Sequence, residues 1–444
     1  MSKILTNQPS SNWSEKEKII FRFFFLFFIL QALPLTVDFF KVIFGINWFK
    51  ITYGDIFNIT RLSPKFIPGA DSFFNWLIIA VLAAIGTFAW GQSKLKNQNY
   101  DNLYYWLRTI VRYRLAIGII GYGFIKFFPL QAPFPSISNL NTAYGDFTDW
   151  KIFSMSLGIV PNYESFLGGV ELLAGFLLLF RRTATVGALF ILVFTGNVFI
   201  SNLAYEGGEY VYSIYLISFA VFVLAYDAFR IYNLISLERP TEPNKFVPDF
   251  SGRKQTIRLV VKSFIIFFFV FLYGFKTYSG FRNDPYQFPK GKGLKHASGI
   301  YNVSEFRING KVLPYSPTDS VRWKDVVFEK WATISVRSNR PVVLDSANYE
   351  QIFTRDKDRD YELTGSAGRH YYSYTVDTVG HVLSLENKNN HYKGEKLQLK
   401  YERPDSATII LSGLNQRKDS IYVVLNKINK KYPILLGRKR TLKL

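Results

Sequence analysis

A change of hydrophobic pattern near Ser279 constrains this chain more than any other feature. Before it, apolar side chains gather in long runs, over residues 19–33, 73–90, 115–128, 166–180, 183–203, 210–229 and 259–278. Most of these approach the reach of a membrane helix, which needs about 20 mainly apolar residues. After it, apolar and polar residues alternate in short segments divided by turn residues, as antiparallel strands require. The expected fold is an α-helical polytopic membrane bundle of about seven spans, followed by an all-β soluble domain built as an antiparallel barrel or sandwich. The expected divisions are a cytoplasmic N-terminus at 1–18, a transmembrane domain at 19–279, a linker at 280–293 and the β domain at 294–444.

Charge orients the bundle. The chain carries a net charge of +21. In a soluble protein that excess points to nucleic acid, but here much of it lies in loops beside apolar runs. Orientation and anionic lipid account for it there, and no nucleic-acid partner is expected. Residues 92–114 hold Lys94, Lys96, Arg108, Arg112 and Arg114 against Asp101 alone, and residues 230–258 are also basic. Basic loops stay in the cytoplasm, so the N-terminus is expected inside and the β domain outside. In a bacterium with an outer membrane, that places the β domain in the periplasm.

Several classes of chemistry are excluded. There is no cysteine, which removes thiol exchange, iron–sulfur clusters and thiolate metal sites. The four histidines, His296, His370, His381 and His391, all follow the apolar runs, so none stands in a membrane segment to ligate a haem. Any redox cofactor would have to be diffusible or held by a partner. No metal site is expected: Asp356, Asp358 and Asp360 in TRDKDRDYE have calcium-loop spacing but lack its glycine and closing glutamate, so they read as a solvated turn.

The polar residues inside the apolar runs are the candidates for function. Glu171 is the one carboxylate in SFLGGVELLAGFLLLFRR, and a carboxylate in hydrocarbon is costly enough that it should face other helices or a wet cavity. Gly168, Glu171 and Gly175 share one narrow stripe, which invites close approach by another helix. Lys126 lies near the outer end of the preceding run, and Asn202 at the outer end of the next. Residues 129–163 form a long connection carrying Tyr144 and Asp146, and long connections tend to cover or line sites. Lys126, Glu171, Asn202, Tyr144 and Asp146 are therefore the candidate ligand-binding set, and a Lys126–Glu171 ion pair is the alternative structural role.

Smaller expectations follow from local pattern. Pro34 should kink the first helix, and Asp38 and Lys41 should pair at i,i+3. NLYYWLRTIVRYR reads as an amphipathic helix lying at the interface. Asn309-Gly310 marks a hairpin. The strand spacing beyond it is lipocalin-like. The basic tail GRKRTLKL is either laid on anionic headgroups or a free end.

The stretches RYRLAIGIIGYGFIKFFP, YGDF, GGVELLAGFLLLFRRTATVGAL, NVFISNLAY and LAYDAFR, in that order, resemble the DoxX-like family of small integral membrane proteins. The resemblance covers about residues 112–230 and implies a four-helix core. With the added N-terminal helices and C-terminal β domain, the chain resembles the long members found in Bacteroidota-type envelopes. It implies a bacterial cytoplasmic-membrane protein acting as an accessory or scaffold subunit of a cell-envelope complex, with membrane lipids and other envelope subunits as partners. It also implies an alternative, the membrane subunit of a quinone-linked oxidoreductase, with quinone as the cofactor. The outward polar set leaves a third reading, an outward-facing carrier or lipid-modifying enzyme. Lys126 and Glu171 are the polar residues at matched positions.

Overall fold

The computed structural model describes residues 13–33, 36–67, 71–242, 246–248, 250, 252–285, 287–344, 353 and 355–437. Pro34 and the tail beyond Gly437 lie outside the described residues. The chain divides into two compact units. One is Met1–Phe128 with Ser165–Gly280; the other is Pro129–Glu164 with Phe281–Leu444.

In chain order the helices before the barrel strands are α1 (Glu15–Ala32), α2 (Val37–Gly45), α3 (Tyr53–Thr60), α4 (Phe73–Gln92), α5 (Tyr100–Phe127), α6 (Ile137–Leu140), α7 (Asp149–Gly158), α8 (Pro161–Leu178), α9 (Ala184–Ala204), α10 (Tyr210–Ala225), α11 (Ala228–Ile235), α12 (Arg253–Ile266) and α13 (Tyr273–Asn283). A π-helical stretch, Phe267–Leu272, joins the last two. Serine, threonine or asparagine caps start many of them: Ser14 and Thr52 form capping boxes, and Asn99 accepts from the Asn102 amide.

All seven apolar runs are helical, but fewer than seven are long and apolar enough to cross a membrane. Among the described residues there are four such helices, Glu15–Gly45, Phe73–Gln92, Ala184–Ala204 and Arg253–Asn283, or five if the bent pair α10–α11 is one span. Polar residues account for the shortfall. The first turn of α8 is PNYE, and α5 carries three arginines. The outer faces of the apolar helices agree with a lipid environment: Ile85 is 62% exposed, Phe88 73% and Val193 79%. Such surfaces are costly in water and ordinary in a bilayer.

The expected amphipathic helix NLYYWLRTIVRYR is present and lengthens the next apolar run, the two forming the single helix α5. Arg108, Arg112 and Arg114 are buried. Packing decides the outcome, because other elements supply acceptors for two of the three. Arg108 meets Asp227 at 3.2 Å, and Arg114 donates to the Thr60 carbonyl at 3.0 Å and to that of Leu62. Asp38 and Lys41 do approach, at 3.7 Å on α2, but both are exposed, so the pair contributes little.

The second unit is a closed barrel. Its strands are β1 (Gly299–Ile308), β2 (Lys311–Val312), β3 (Asp325–Phe328), β4 (Thr333–Arg337), β5 (His370–Asp377), β6 (Val382–Asn387), β7 (Lys396–Glu402), β8 (Thr408–Leu414) and β9 (Ser420–Lys427). Pairing runs β1-β3-β4-β5-β6-β7-β8-β9 and returns to β1, all antiparallel, giving eight staves with β2 as a short appendage on β1. The β1–β2 turn is the expected one, with Asn309 and Gly310 both at positive φ, 49° and 77°. Alternate residues point inward. Tyr372 and Tyr374 on β5, Leu383 and Leu385 on β6, Leu397 and Leu399 on β7, and Val423 and Leu425 on β9 belong to one core.

Residues 129–164 belong to this unit and clothe the outer wall of β3–β5. Ser138 at the start of α6 donates its amide and its hydroxyl to Glu329, each at 2.7 Å, and its oxygen lies 2.8 Å from that of Ser335. The Asn139 side chain donates to the Glu362 carbonyl at 2.9 Å, and the Lys151 ammonium donates to the Tyr361 carbonyl. This covering explains why outward-facing Val327, Ser335 and Tyr371 are fully buried.

Candidate functional site

In the helical unit, Lys126 and Glu171 form a buried ion pair at 2.6 Å. Three glycines make the approach possible. A Cβ at Gly168 would fall 2.2 Å from the Phe127 amide nitrogen. One at Gly175 would fall 2.5 Å from the Ile120 side chain, and one at Gly123 would meet Leu172 at 3.0 Å. The glycine stripe therefore brings α8 onto α5 at the level where the two charges meet. Only one Glu171 oxygen is used; the other, Oε2, is buried without a hydrogen-bond partner.

Asn202 goes elsewhere. Its amide donates back to the Val198 carbonyl at 2.9 Å, and its oxygen accepts from the Glu209 amide at 3.3 Å. Glu209 in turn accepts from Tyr122 at 2.8 Å and pairs with Arg61. Tyr122 lies one turn before Lys126 on α5, and the Lys126 ammonium is 5.8 Å from its ring centroid. Asn202 thus supports a second polar cluster, Arg61–Glu209–Tyr122, next to the first. Arg61 and Glu209 had no signal in the sequence beyond lying in loops, because their pairing spans 148 residues.

Tyr144 and Asp146 belong to the other compact unit, with the barrel. The Asp146 carbonyl accepts from the Ala367 amide at 2.8 Å, and Phe147 bridges to Ser366. Tyr144 is 74% exposed. The structure brings together Lys126 and Glu171 of the five candidates, and it uses Asp146 to seat residues 129–164 on the barrel wall.

The barrel holds a second site that sequence reading missed. One end is stopped by the chain leading into β1. Leu294 and Ala297 are buried there, the Leu294 amide donates to Tyr374 at 2.8 Å, and Tyr301 donates to the Ala297 carbonyl at 2.7 Å. The other end opens on a cavity of about 520 Å³. That volume lies within the roughly 300–1,000 Å³ that holds a small ligand. Phe306, Trp323, Val336 and Ile421 supply an apolar side. Arg340, His370, Tyr372 and Glu395 supply a polar one.

The polar side is organised around Glu395. Arg340 grips it with two bonds, 2.8 and 3.1 Å, while Tyr372 and Asn387 add donors at 2.9 and 3.2 Å. Burial alone would raise the Glu395 pKa, but the bonds and charge of Arg340 outweigh it and hold it below the usual carboxylate range. Burial and the nearby Arg340 charge push the His370 imidazole down, so it stays neutral at pH 7. The Tyr392 ring packs edge-on against it, centroids 5.1 Å apart. The missed signal was the period-two run RHYYSYTVD, which places His370 on the inward face with Tyr372 and Tyr374.

No family model, no curated protein and no solved structure matches this chain.

Proposed function

We propose that the chain is a membrane-anchored accessory subunit of a bacterial cell-envelope complex. The helical unit sits in the cytoplasmic membrane, and the barrel, on the periplasmic side, binds a small molecule. One observation carries this reading: a closed eight-stranded barrel, stopped at one end and open at the other on a ligand-sized cavity, in the same chain as several apolar helices. Eight strands leave room for packed side chains or for one small ligand. The DoxX-like resemblance of residues 112–230 supports the subunit role, since it implies an accessory place in a larger assembly. The test is native mass spectrometry of the full chain taken from its own membrane in mild detergent. A small molecule should remain bound, and Ile421→Trp, which fills the cavity, should release it. Identical bound masses in both forms would overturn the reading.

A second reading rests on Glu171 Oε2, buried and unpartnered beside Lys126. An intramembrane carboxylate with spare acceptor capacity suits a polar site serving a carrier or a lipid-modifying enzyme. Under that reading Glu171→Gln preserves expression and melting temperature while removing activity on lipid. A mere loss of stability would leave the pair a structural one.

A further inference from the structure

We propose that the helical unit binds an anionic phospholipid, its phosphate held by Arg258 and Lys262 of α12 in front of the buried Arg112 of α5. This rests on the helical unit lying in a membrane and is independent of what the barrel binds.

Three observations converge. First, the chain concentrates cations here. Arg108 and Arg112 stand at i,i+4 on α5, and Arg258 and Lys262 stand at i,i+4 on α12. That spacing sets like charges side by side and costs a helix stability. The two pairs also face each other. Lys262 lies within reach of the Arg112 and Arg258 charges, and Arg112 within reach of those of Arg108 and Arg181. The Phe250 ring links the two helices: it packs on Tyr105 and Trp106 of α5, and the Arg258 guanidinium lies 4.7 Å from its centroid.

Second, among the described residues no carboxylate pairs with Arg112, Arg258 or Lys262. Asp227 is committed elsewhere, with Oδ2 accepting from Arg108 and Thr185 and Oδ1 from Arg230. Uncharged groups stand where counter-ions would. Arg112 meets the Tyr113 ring at 5.1 Å and bonds its hydroxyl, and the Lys262 ammonium lies 4.6 Å from the Phe180 centroid. Aromatic rings attract cations without neutralising them. Arg112 is buried, and a buried cation without a counter-charge is costly. A phosphate set before Arg258 and Lys262 brings that charge and several strong acceptors.

Third, the cluster opens on apolar surface. Leu259, Val261 and Phe264 flank the two cations on α12, and all three are exposed, as is Phe180. Acyl chains find a wall to lie against there, whereas a free anion has nothing apolar to cover. Basic clefts between membrane helices recognise phospholipid headgroups in this way.

The test follows the fluorescence anisotropy of acyl-labelled phosphatidylglycerol and phosphatidylcholine with the full chain in neutral detergent micelles at fixed ionic strength. Both lipids carry a phosphate, and only the first has a net charge. Phosphatidylglycerol should bind about 25-fold more tightly, roughly fivefold for each of Arg258 and Lys262. Arg258→Gln with Lys262→Gln should erase that preference and leave phosphatidylcholine unchanged. Lys94→Gln with Lys96→Gln removes the same charge from another part of the helical unit and should change neither lipid. Equal binding of the two lipids by the unaltered chain would overturn the inference. So would an equal loss in both double variants, which is the mark of diffuse attraction without a site. Displacement of phosphatidylglycerol by millimolar inorganic phosphate, with chloride at the same ionic strength inert, would also overturn it, because the cluster would then take a free anion. If the Arg258 and Lys262 variant fails to fold, the lipid preference and the phosphate competition on the unaltered chain still decide.

Discussion

Lys126 and Glu171 illustrate what a buried charge pair does at the scale of single residues. Taking both charges out of water is costly, and their contact at 2.6 Å offsets that only while both are present. Lys126→Met alone should destabilise the helical unit by about 3–5 kcal/mol, because it strands a buried carboxylate. The double change Lys126→Met with Glu171→Leu should recover most of that loss, measured by thermal unfolding in detergent. The barrel has its own titration signature. The His370 pKa is lowered from 6.5, so the unfolded chain binds the proton first. That contribution is complete above pH 6.5 and is lost as pH falls through the depressed value. Glu395, also lowered, adds a second loss below its ordinary value of 4.5. Melting of the barrel should therefore fall on acidification from pH 7, and His370→Phe should flatten the first part of the fall. Lys126 and Glu171 were legible in the sequence because a charge stands out in an apolar run. Arg61, Glu209 and Glu395 were not, since each acquires meaning only from partners far along the chain.

At the scale of elements, two neighbouring glycines separate packing from propensity. A Cβ at Gly168 would collide with backbone, while one at Gly169 comes no nearer than 3.9 Å to the Phe127 ring. Both alanine substitutions favour the helix by roughly 1 kcal/mol. Gly168→Ala should nevertheless lower the melting temperature of the helical unit through overpacking of about 1–3 kcal/mol, while Gly169→Ala should leave it unchanged or raise it. The stripe was readable because helical periodicity places such residues together. The strands were readable for the same reason: the alternating runs RHYYSYTVD, HVLSLENK, KLQLKYER, ATIILSG and SIYVVLNKI match β5 through β9 nearly to the residue. Residues 129–164 were not, because nothing local says that a connection between helices will clothe a barrel encoded more than a hundred residues later. Glu329 holds that segment through three bonds to Ile137 and Ser138, 2.7–3.2 Å long. Glu329→Ala should open residues 129–164 to limited proteolysis while the barrel stays folded; protection equal to that of the unaltered chain would show that Glu329 does not seat the segment.

At the scale of the whole molecule, the account depends on which side of the membrane the barrel mouth faces. The absence of cysteine gives labelling a clean background. Gln416 lines the mouth of the cavity, and Lys94 lies in the basic stretch expected inside. In spheroplasts carrying Gln416→Cys, a membrane-impermeant maleimide should label the chain at once. In those carrying Lys94→Cys, labelling should appear only after the membrane is permeabilised. Labelling of Lys94→Cys in intact spheroplasts with Gln416→Cys protected would contradict the account, because the cavity would then open to the cytoplasm.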